Sequence, residues 1–309
     1  MGEPKFDHHN RIRVYPYLRK IVQGIRPALP ASLYHMLLFF SRAGYWPNFK
    51  NPKALNEKIW WIKKHHRDPR MTTCSDKLAV RDYAKAKCPS LRFPEVLFVT
   101  DDPAQIPFHE LPEQCVIKSN HASGQVIFYD RRRSNRADII RTCKRWLSRP
   151  FGESTSEWVY QHIPRRIFGE QRLYDNTDSA PSDYKVFVFN GSAKLIQVDL
   201  DRYSNHTRTL YDRDWNVIPV HYNYRMGRGL PRPPNLAELR RVAECLAYGF
   251  PFVRVDLYLI GTDIVLGEMT FLPEGGTGPF CPLKFDWKFG EMLTLPVRPE
   301  DMATSCLQR

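Results

Sequence analysis

Residues 252–271 read FVRVDLYLIGTDIVLGEMTF. Val253, Val255, Leu257 and Leu259 alternate with Arg254, Asp256 and Tyr258, the period of two expected of a strand with one face in a core. The Gly261-Thr262-Asp263 that follows predicts a three-residue hairpin loop. That register sets Ile260 opposite Ile264, Asp256 opposite Glu268 and Arg254 opposite Thr270. Directly opposed side chains on one face lie about 5 Å apart at Cβ, and like charges so placed repel unless something neutralises them. A divalent cation does so: Mg²⁺ takes oxygen ligands, commonly one or two carboxylates plus substrate phosphates. A surface pair relieved by Arg254 is the structural alternative.

Working outward, a helix is expected over residues 236–248, with Asn235 and Glu238 spaced as a capping box and Gly249 and Pro251 closing it. Strands at 184–189 and 193–199 flank Asn190-Gly191, a strong hairpin signal. Upstream, strands at 93–100, 115–118 and 125–129 mix with helices at 57–64, 75–87 and 136–147. The pattern predicts an α+β chain in four parts: a helical N-terminal extension over 1–70, a small α+β part over 71–165, an antiparallel-sheet part over 166–295, and a tail over 296–309. Turns are expected at 27–30 and 46–52.

The chain has 309 residues, of which 42% are hydrophobic and 13% aromatic, enough to bury a sizeable core. Its 46 Lys and Arg against 33 Asp and Glu give a net charge of +13, which favours an acidic ligand without choosing among nucleotide, acidic polysaccharide, nucleic acid and anionic lipid. Seven scattered cysteines with no C-x-x-C pair fit neither a disulfide framework nor a zinc ribbon, and point to a reducing cytoplasm. The longest apolar run, at 33–40, is too short to span a bilayer, and no signal peptide is expected. Residues 11–42 interleave Arg and Lys with apolar residues; a lid packed on the main body and a helix on a membrane surface both fit.

Val116-Ile117-Lys118 runs into the small, polar stretch Ser119-Asn120-His121-Ala122-Ser123-Gly124. Such a loop can bring backbone N–H groups to phosphates while Lys118 supplies a counter-charge; an ordinary hairpin loop has the same look. Lys77 is expected at the start of the helix over 75–87. A cation there opposes the helix dipole unless an anion shares the terminus, although a solvated surface lysine is the plainer reading.

Asp76-Lys77, Val116-Ile117-Lys118, Gly169-Glu170-Gln171-Arg172-Leu173, Asp183-Tyr184-Lys185, Val255-Asp256-Leu257 and Gly267-Glu268-Met269-Thr270, in this order, resemble the ATP-grasp superfamily. Asn51-Pro52-Lys53, Asn56-Glu57-Lys58, Asn190-Gly191, residues 199–206 and residues 250–258 are similar to its TupA-like branch, named for teichuronopeptide biosynthesis. The resemblance covers roughly residues 45–292. It implies antiparallel sheets cradling ATP between two subdomains. Lys77 and Lys118 would contact the phosphates, beneath the loop that carries Ser119, His121, Ser123 and Gly124. Glu170 and Leu173 would read adenine, and Asp256 and Glu268 would hold Mg²⁺. Thr270 stands where the superfamily often has Asn, so a third ligand would be a hydroxyl, a water or missing. Lys185, Arg202, Arg208 and Arg254 fall where cations face the γ-phosphate or an acceptor carboxylate.

The resemblance thus implies a ligase that phosphorylates a carboxylate and lets an amine displace the phosphate, with an acidic small-molecule or polysaccharide acceptor and an amine donor. A kinase on the same fold, phosphorylating a sugar hydroxyl, is one alternative. A glycosyltransferase is another, on the strength of the D-x-D tripeptide Asp199-Leu200-Asp201. Arg131-Arg132-Arg133 comes without any nucleic-acid motif, and no nucleic-acid partner is expected. The absence of G-x-S-x-G and H-E-x-x-H argues against serine hydrolase and zinc protease.

Overall fold

The computed structural model describes residues 4–153, 155–174, 181–201 and 205–297. Its contacts divide the chain into two units: Met1–Arg67, Tyr184–Arg254 and Leu272–Arg309 form the first, and Asp68–Asp183 with Val255–Phe271 the second.

The second unit holds an antiparallel sheet of β1 (Val96–Thr100), β2 (Gln114–Ser119), β3 (Val126–Asp130) and β4 (Ile167–Gln171), in the order β1-β4-β2-β3. One face is covered by the helix Arg136–Leu147, whose Ile139 and Cys143 pack with Cys115, Ile117, Tyr129 and Ile167. The helix starts where expected because Asn135 caps it, its side chain accepting from the N–H groups of Ala137 and Asp138. Ile117 faces Gly169 in the ladder, and a Cβ on Gly169 would sit 2.3 Å from the Phe98 ring. Glycine is therefore what lets that ring close on the sheet.

The helix expected over 75–87 starts only at Val80, and a separate short helix ends at Ser75. Pro69–Ser75 is capped by Asp68, and Val80–Lys87 begins four residues after Asp76. Asp76 divides them, its buried Oδ1 accepting from Leu78 N at 2.9 Å and from Asn120 Nδ2 at 3.0 Å. A short carboxylate that captures the backbone N–H two residues on competes with helix continuation. Lys77 thus lies in a turn, and the dipole argument for it lapses.

The expected three-residue loop of the carboxylate hairpin is also corrected. The strands are Phe252–Ile260 and Asp263–Thr270, which leaves a two-residue turn of Gly261-Thr262. Arg92 draws Asp263 into the ladder: its Nη1 is 2.5 Å from Asp263 Oδ2, and its backbone bonds Ile264 O and Leu266 N.

In the first unit, β5 (Asp183–Phe189), β6 (Ser192–Leu200), β7 (Thr207–Asp212) and β8 (Val217–Ile218) lie side by side in that order. Asn190 at φ 46° and Gly191 at φ 82° make the β5–β6 turn, as Asn-Gly predicts. The helix Leu236–Ala247 buries Leu239, Val242, Ala243 and Leu246, and its Glu244 accepts from Ala193 N of β6. Asn235 makes no side-chain cap there, contrary to the expected capping box, and Glu238 pairs instead with Arg241.

The N-terminal residues contribute the helices Pro16–Gly24, Ala31–Ala43 and Leu55–His65. Helix Leu55–His65 is tied to the C-terminal segment by two members of the Asn56-Glu57-Lys58 motif. Asn56 donates to both oxygens of Asp286 and to Gly278 O, and Lys58 Nζ donates to Gly290 O and Leu293 O. Glu57 accepts from the N–H groups of Asn48, Lys53 and Ala54. That motif is architectural.

Candidate functional site

Functional side chains gather separately in each unit. In the second unit, Lys77, Arg81, Lys118, Glu170, Leu266 and Gly267 line one cleft. Lys118 on β2 faces Phe168, and Glu170 on β4 faces Val116. Lys118 and Glu170 are therefore diagonal neighbours on one face, within reach of a long side chain. Lys118 Nζ pairs with Glu170 Oε1, while Arg81 Nη2 holds Oε2 at 3.0 Å. The turn at Asp76 aims Lys77 into the same cleft: its Nζ donates to Ala122 O at 2.5 Å and lies 3.5 Å from Glu268 Oε2.

The loop after β2 is fastened at its base. Asn120 donates to Asp76 and Pro164 O and accepts from Arg166 N, and its carbonyl accepts from Lys77 N. Ser119 and His121 face inward, whereas Ser123 and Gly124, the latter at φ 75°, form an exposed tip. Burial, with Lys77 and Arg165 nearby, lowers the His121 pKa to about 4, so the ring is neutral at pH 7. Ser119 Oγ, His121 Nε2 and Gln125 Oε1 are buried without a hydrogen-bond partner. A water or a polar ligand at the loop would satisfy them. Leu173 follows β4, half-buried.

The hairpin carries the oxygen donors. Asp256 is buried, Glu268 is partly exposed, and Thr270 Oγ1 donates to Glu268 Oε1 at 3.3 Å. Among the described residues no group of three or more His, Cys, Asp or Glu is placed to hold a metal ion. Two carboxylates and a hydroxyl, with the balance supplied by phosphates, still match the way Mg²⁺ is usually held.

The first unit contains a buried charge cluster. Asp199 on β6 faces Arg208 on β7; Arg208 Nε is 2.6 Å from Asp199 Oδ1 and Nη2 is 3.2 Å from Oδ2. Gln197 donates to both Asp199 oxygens, and His206 Nε2 stands 3.4 Å from Oδ1. Arg208 Nη1 reaches Glu274 Oε1 at 3.3 Å and Tyr222 O at 3.4 Å, while its guanidinium lies over the rings of Tyr222 and Tyr224. Burial alone would raise the pKa of Asp199, but Arg208, His206 and Lys185 outweigh it and hold the carboxyl well below the usual range. Glu274, at φ 53°, is lowered likewise: burial is overcome by Arg208, Arg11, Arg254 and Arg42.

Lys185 and Arg254 are buried on their strands and belong to this cluster; Arg202 lies outside the described residues. Asp199 is engaged by Arg208, which removes the D-x-D tripeptide as support for a glycosyltransferase. Glu274, Tyr222, Tyr224 and Arg11 carry no strand or helix periodicity that marks them. The one available signal for Glu274 is its place between Pro273 and Gly275-Gly276, where a non-glycine residue takes a left-handed backbone.

The sequence matches the family described as TupA-like ATPgrasp over residues 57–294. No curated protein matches it. Among solved structures, the L-amino acid ligase from Bacillus licheniformis is 12% identical, with a TM-score of 0.42 over 84% of this chain and 55% of that one. Phosphoribosylamine–glycine ligase from Thermotoga maritima is 12% identical, with a TM-score of 0.41 over 66% and 50%. D-alanine–D-alanine ligase from Bacillus anthracis, complexed with ATP, is 13% identical, with a TM-score of 0.38 over 64% and 54%; the chain spans about half the length of that protein. Matched by a family over well more than half its length, the chain belongs to the TupA-like ATP-grasp family.

Proposed function

We propose that this chain is an ATP- and Mg²⁺-dependent carboxylate–amine ligase that works through an acyl phosphate and attaches an amino acid to a cell-surface polysaccharide or its precursor. The observation that carries the nucleotide part is the convergence of Lys77, Lys118 and Glu268 at one cleft, beside a loop with three orphaned polar atoms. Lys77 and Lys118 each hold a single carboxylate oxygen there, and can turn to phosphate oxygens without leaving a buried charge unpaired. The exposed tip at Ser123-Gly124 offers backbone N–H groups to the same phosphates. Glu170 and Leu173, at the end of β4, are assigned to adenine.

When bound, Mg²⁺ would neutralise phosphate charge, with Asp256, Glu268 and the Thr270 hydroxyl as its protein ligands. Lys185 and Arg254 are assigned to orienting the acceptor carboxylate. Arg208 has its fork committed to Asp199, and acts by positioning. The net charge of +13 suits an acidic acceptor, and the polysaccharide follows the family's name by association. Six cysteines are free thiols among the described residues, which agrees with a cytoplasmic site of action.

The test is ADP and phosphate release by the purified chain supplied with uronic acids and amino acids. Release that needs both substrates, and that falls roughly 100-fold or more in Asp256→Ala and Glu268→Ala, is the expected result. A phosphorylated acceptor formed without any amine would replace the ligase by the kinase.

A further inference from the structure

The sequence from His8 to Asn56 contains eight Lys and Arg and no Asp or Glu, although the chain as a whole has 33 acids. Arg11, Arg13, Arg19, Lys20, Arg26, Lys50 and Lys53 in this stretch are exposed. The same stretch carries much of the apolar surface that the fold leaves outside. Of the large hydrophobic residues exposed among the described residues, Tyr15, Tyr17, Ile21, Ile25, Leu33 and Trp46 fall here and five others are scattered over the rest.

Their arrangement follows from helical geometry. In Pro16–Gly24, Leu18 and Val22 pack on Tyr34 and Leu38 of the next helix. Tyr17, Ile21 and the C-cap Ile25 are spaced four apart, and so form a second stripe beside the packed one. That stripe is bare: Tyr17 is 81% exposed and Ile21 58%. Nearby in sequence, Tyr15 stacks on Phe40 and Phe40 on Trp46, building an aromatic ladder whose last ring is 56% exposed. Apolar and aromatic residues on one face, flanked by Arg and Lys, are what an interfacial helix presents to lipid headgroups.

We infer that this segment is a peripheral docking surface for an anionic membrane. No helix among the described residues is long and apolar enough to cross a bilayer, so the contact is with its surface. Charge complementarity selects the occupant. A second copy seated symmetrically on the patch would bring two acid-free clusters of cations face to face, which repels. An anionic bilayer neutralises the cations and takes up the apolar stripe together. The inference is independent of the ligase reading.

The test uses the full chain with vesicles of phosphatidylcholine alone and of phosphatidylcholine mixed with phosphatidylglycerol, followed by sedimentation. Binding to the mixed vesicles is expected, with at least about tenfold less binding in a Tyr17→Ser, Ile21→Ser double variant and in an Arg19→Glu, Lys20→Glu double variant. A Lys144→Glu, Arg145→Glu control, exposed on a helix of the other unit, should change binding by less than about twofold. If the control loses as much as the patch variants, bulk charge alone is at work and the surface is refuted. Unchanged binding by the Tyr17, Ile21 variant refutes it too, as does light scattering that shows the patch variants breaking a self-associated form without altering vesicle binding. All these side chains are exposed, and an unaltered thermal transition establishes that the variants fold.

Discussion

Lys118 and Arg208 are both cations paired with a carboxylate on a neighbouring antiparallel strand, yet the two pairs are built for different ends. Lys118 reaches diagonally to one oxygen of Glu170 at the wall of a cleft, and Arg81 holds the other oxygen. Arg208 faces Asp199 directly, grips both its oxygens, spends its remaining nitrogen on Glu274 and a carbonyl, and lies over two tyrosine rings. Asp199 and Arg208 are 8% and 4% exposed, so neither has water to fall back on. Glu170 is just as buried, but Arg81 keeps it paired when Lys118, whose side chain is 19% exposed, turns to a phosphate. A buried, fully hydrogen-bonded pair cannot be opened without stranding a charge. The lysine cleft is equipped to bind, and the Asp199–Arg208 pair to hold shape.

The largest test of this contrast is Asp199→Ala. It leaves the Arg208 guanidinium buried against Glu274 alone, and should destabilise the first unit by about 3–5 kcal/mol in denaturant unfolding. An Asp199→Leu, Arg208→Met double variant should recover most of that loss, because it removes both charges and refills the space. A loss below about 1 kcal/mol in the single variant would mean that the pair is no frame.

Lys118→Met is expected to do the reverse. Glu170 keeps Arg81, so stability should change by less than about 1 kcal/mol. Nucleotide affinity should fall roughly 100-fold in calorimetry, about 2.7 kcal/mol, through the lost counter-charge. Unfolding of this variant would merge the two kinds of pair into one.

The contrast was only half legible in the sequence. Strand alternation over 252–260 and the Asn190-Gly191 turn are local, and each placed its element correctly. The errors came from side chains with distant partners. Asp263 looks like a turn residue until Arg92 draws it into the strand, and Asp76 looks like a helix start until its carboxylate is seen taking Leu78 N and Asn120. Likewise the sequence marked Arg208 as a cation but gave no sign that Asp199, read as half of a metal motif, was its counter-ion. The β6–β7 register, which sets Asp199 opposite Arg208, decides that.

Acidification distinguishes the units more gently. His121 beneath the loop of the second unit has its pKa lowered to about 4, chiefly by burial. A lowered histidine binds fewer protons folded than unfolded, so its contribution is full above about pH 6.5 and is lost as pH falls towards 4. His35 in the first unit behaves the same way: burial, then Lys63, lower it to about 4. There, however, Asp286 opposes it. Burial raises Asp286 to about 6 in spite of the bonds from Asn56 and Tyr45, and a raised carboxyl destabilises progressively as pH rises from about 4 to 6. Lowering the pH therefore relieves Asp286 over nearly the window in which it penalises His35. Around His35 and Asp286 the two effects should nearly offset between pH 7 and 5. His221, lowered by burial and Arg225, adds a loss elsewhere in the first unit, and the loop around His121 loses up to about 2 kcal/mol. Hydrogen-exchange protection, corrected for intrinsic rates, should accordingly drop around residues 119–125 at pH 5 and hold in helix Leu55–His65. Replacing His121 by Gln should flatten the profile of the second unit alone. If protection fell equally in both units, with or without His121, the acid response would belong to the chain as a whole, and the functional separation of cleft from frame would lose its pH signature.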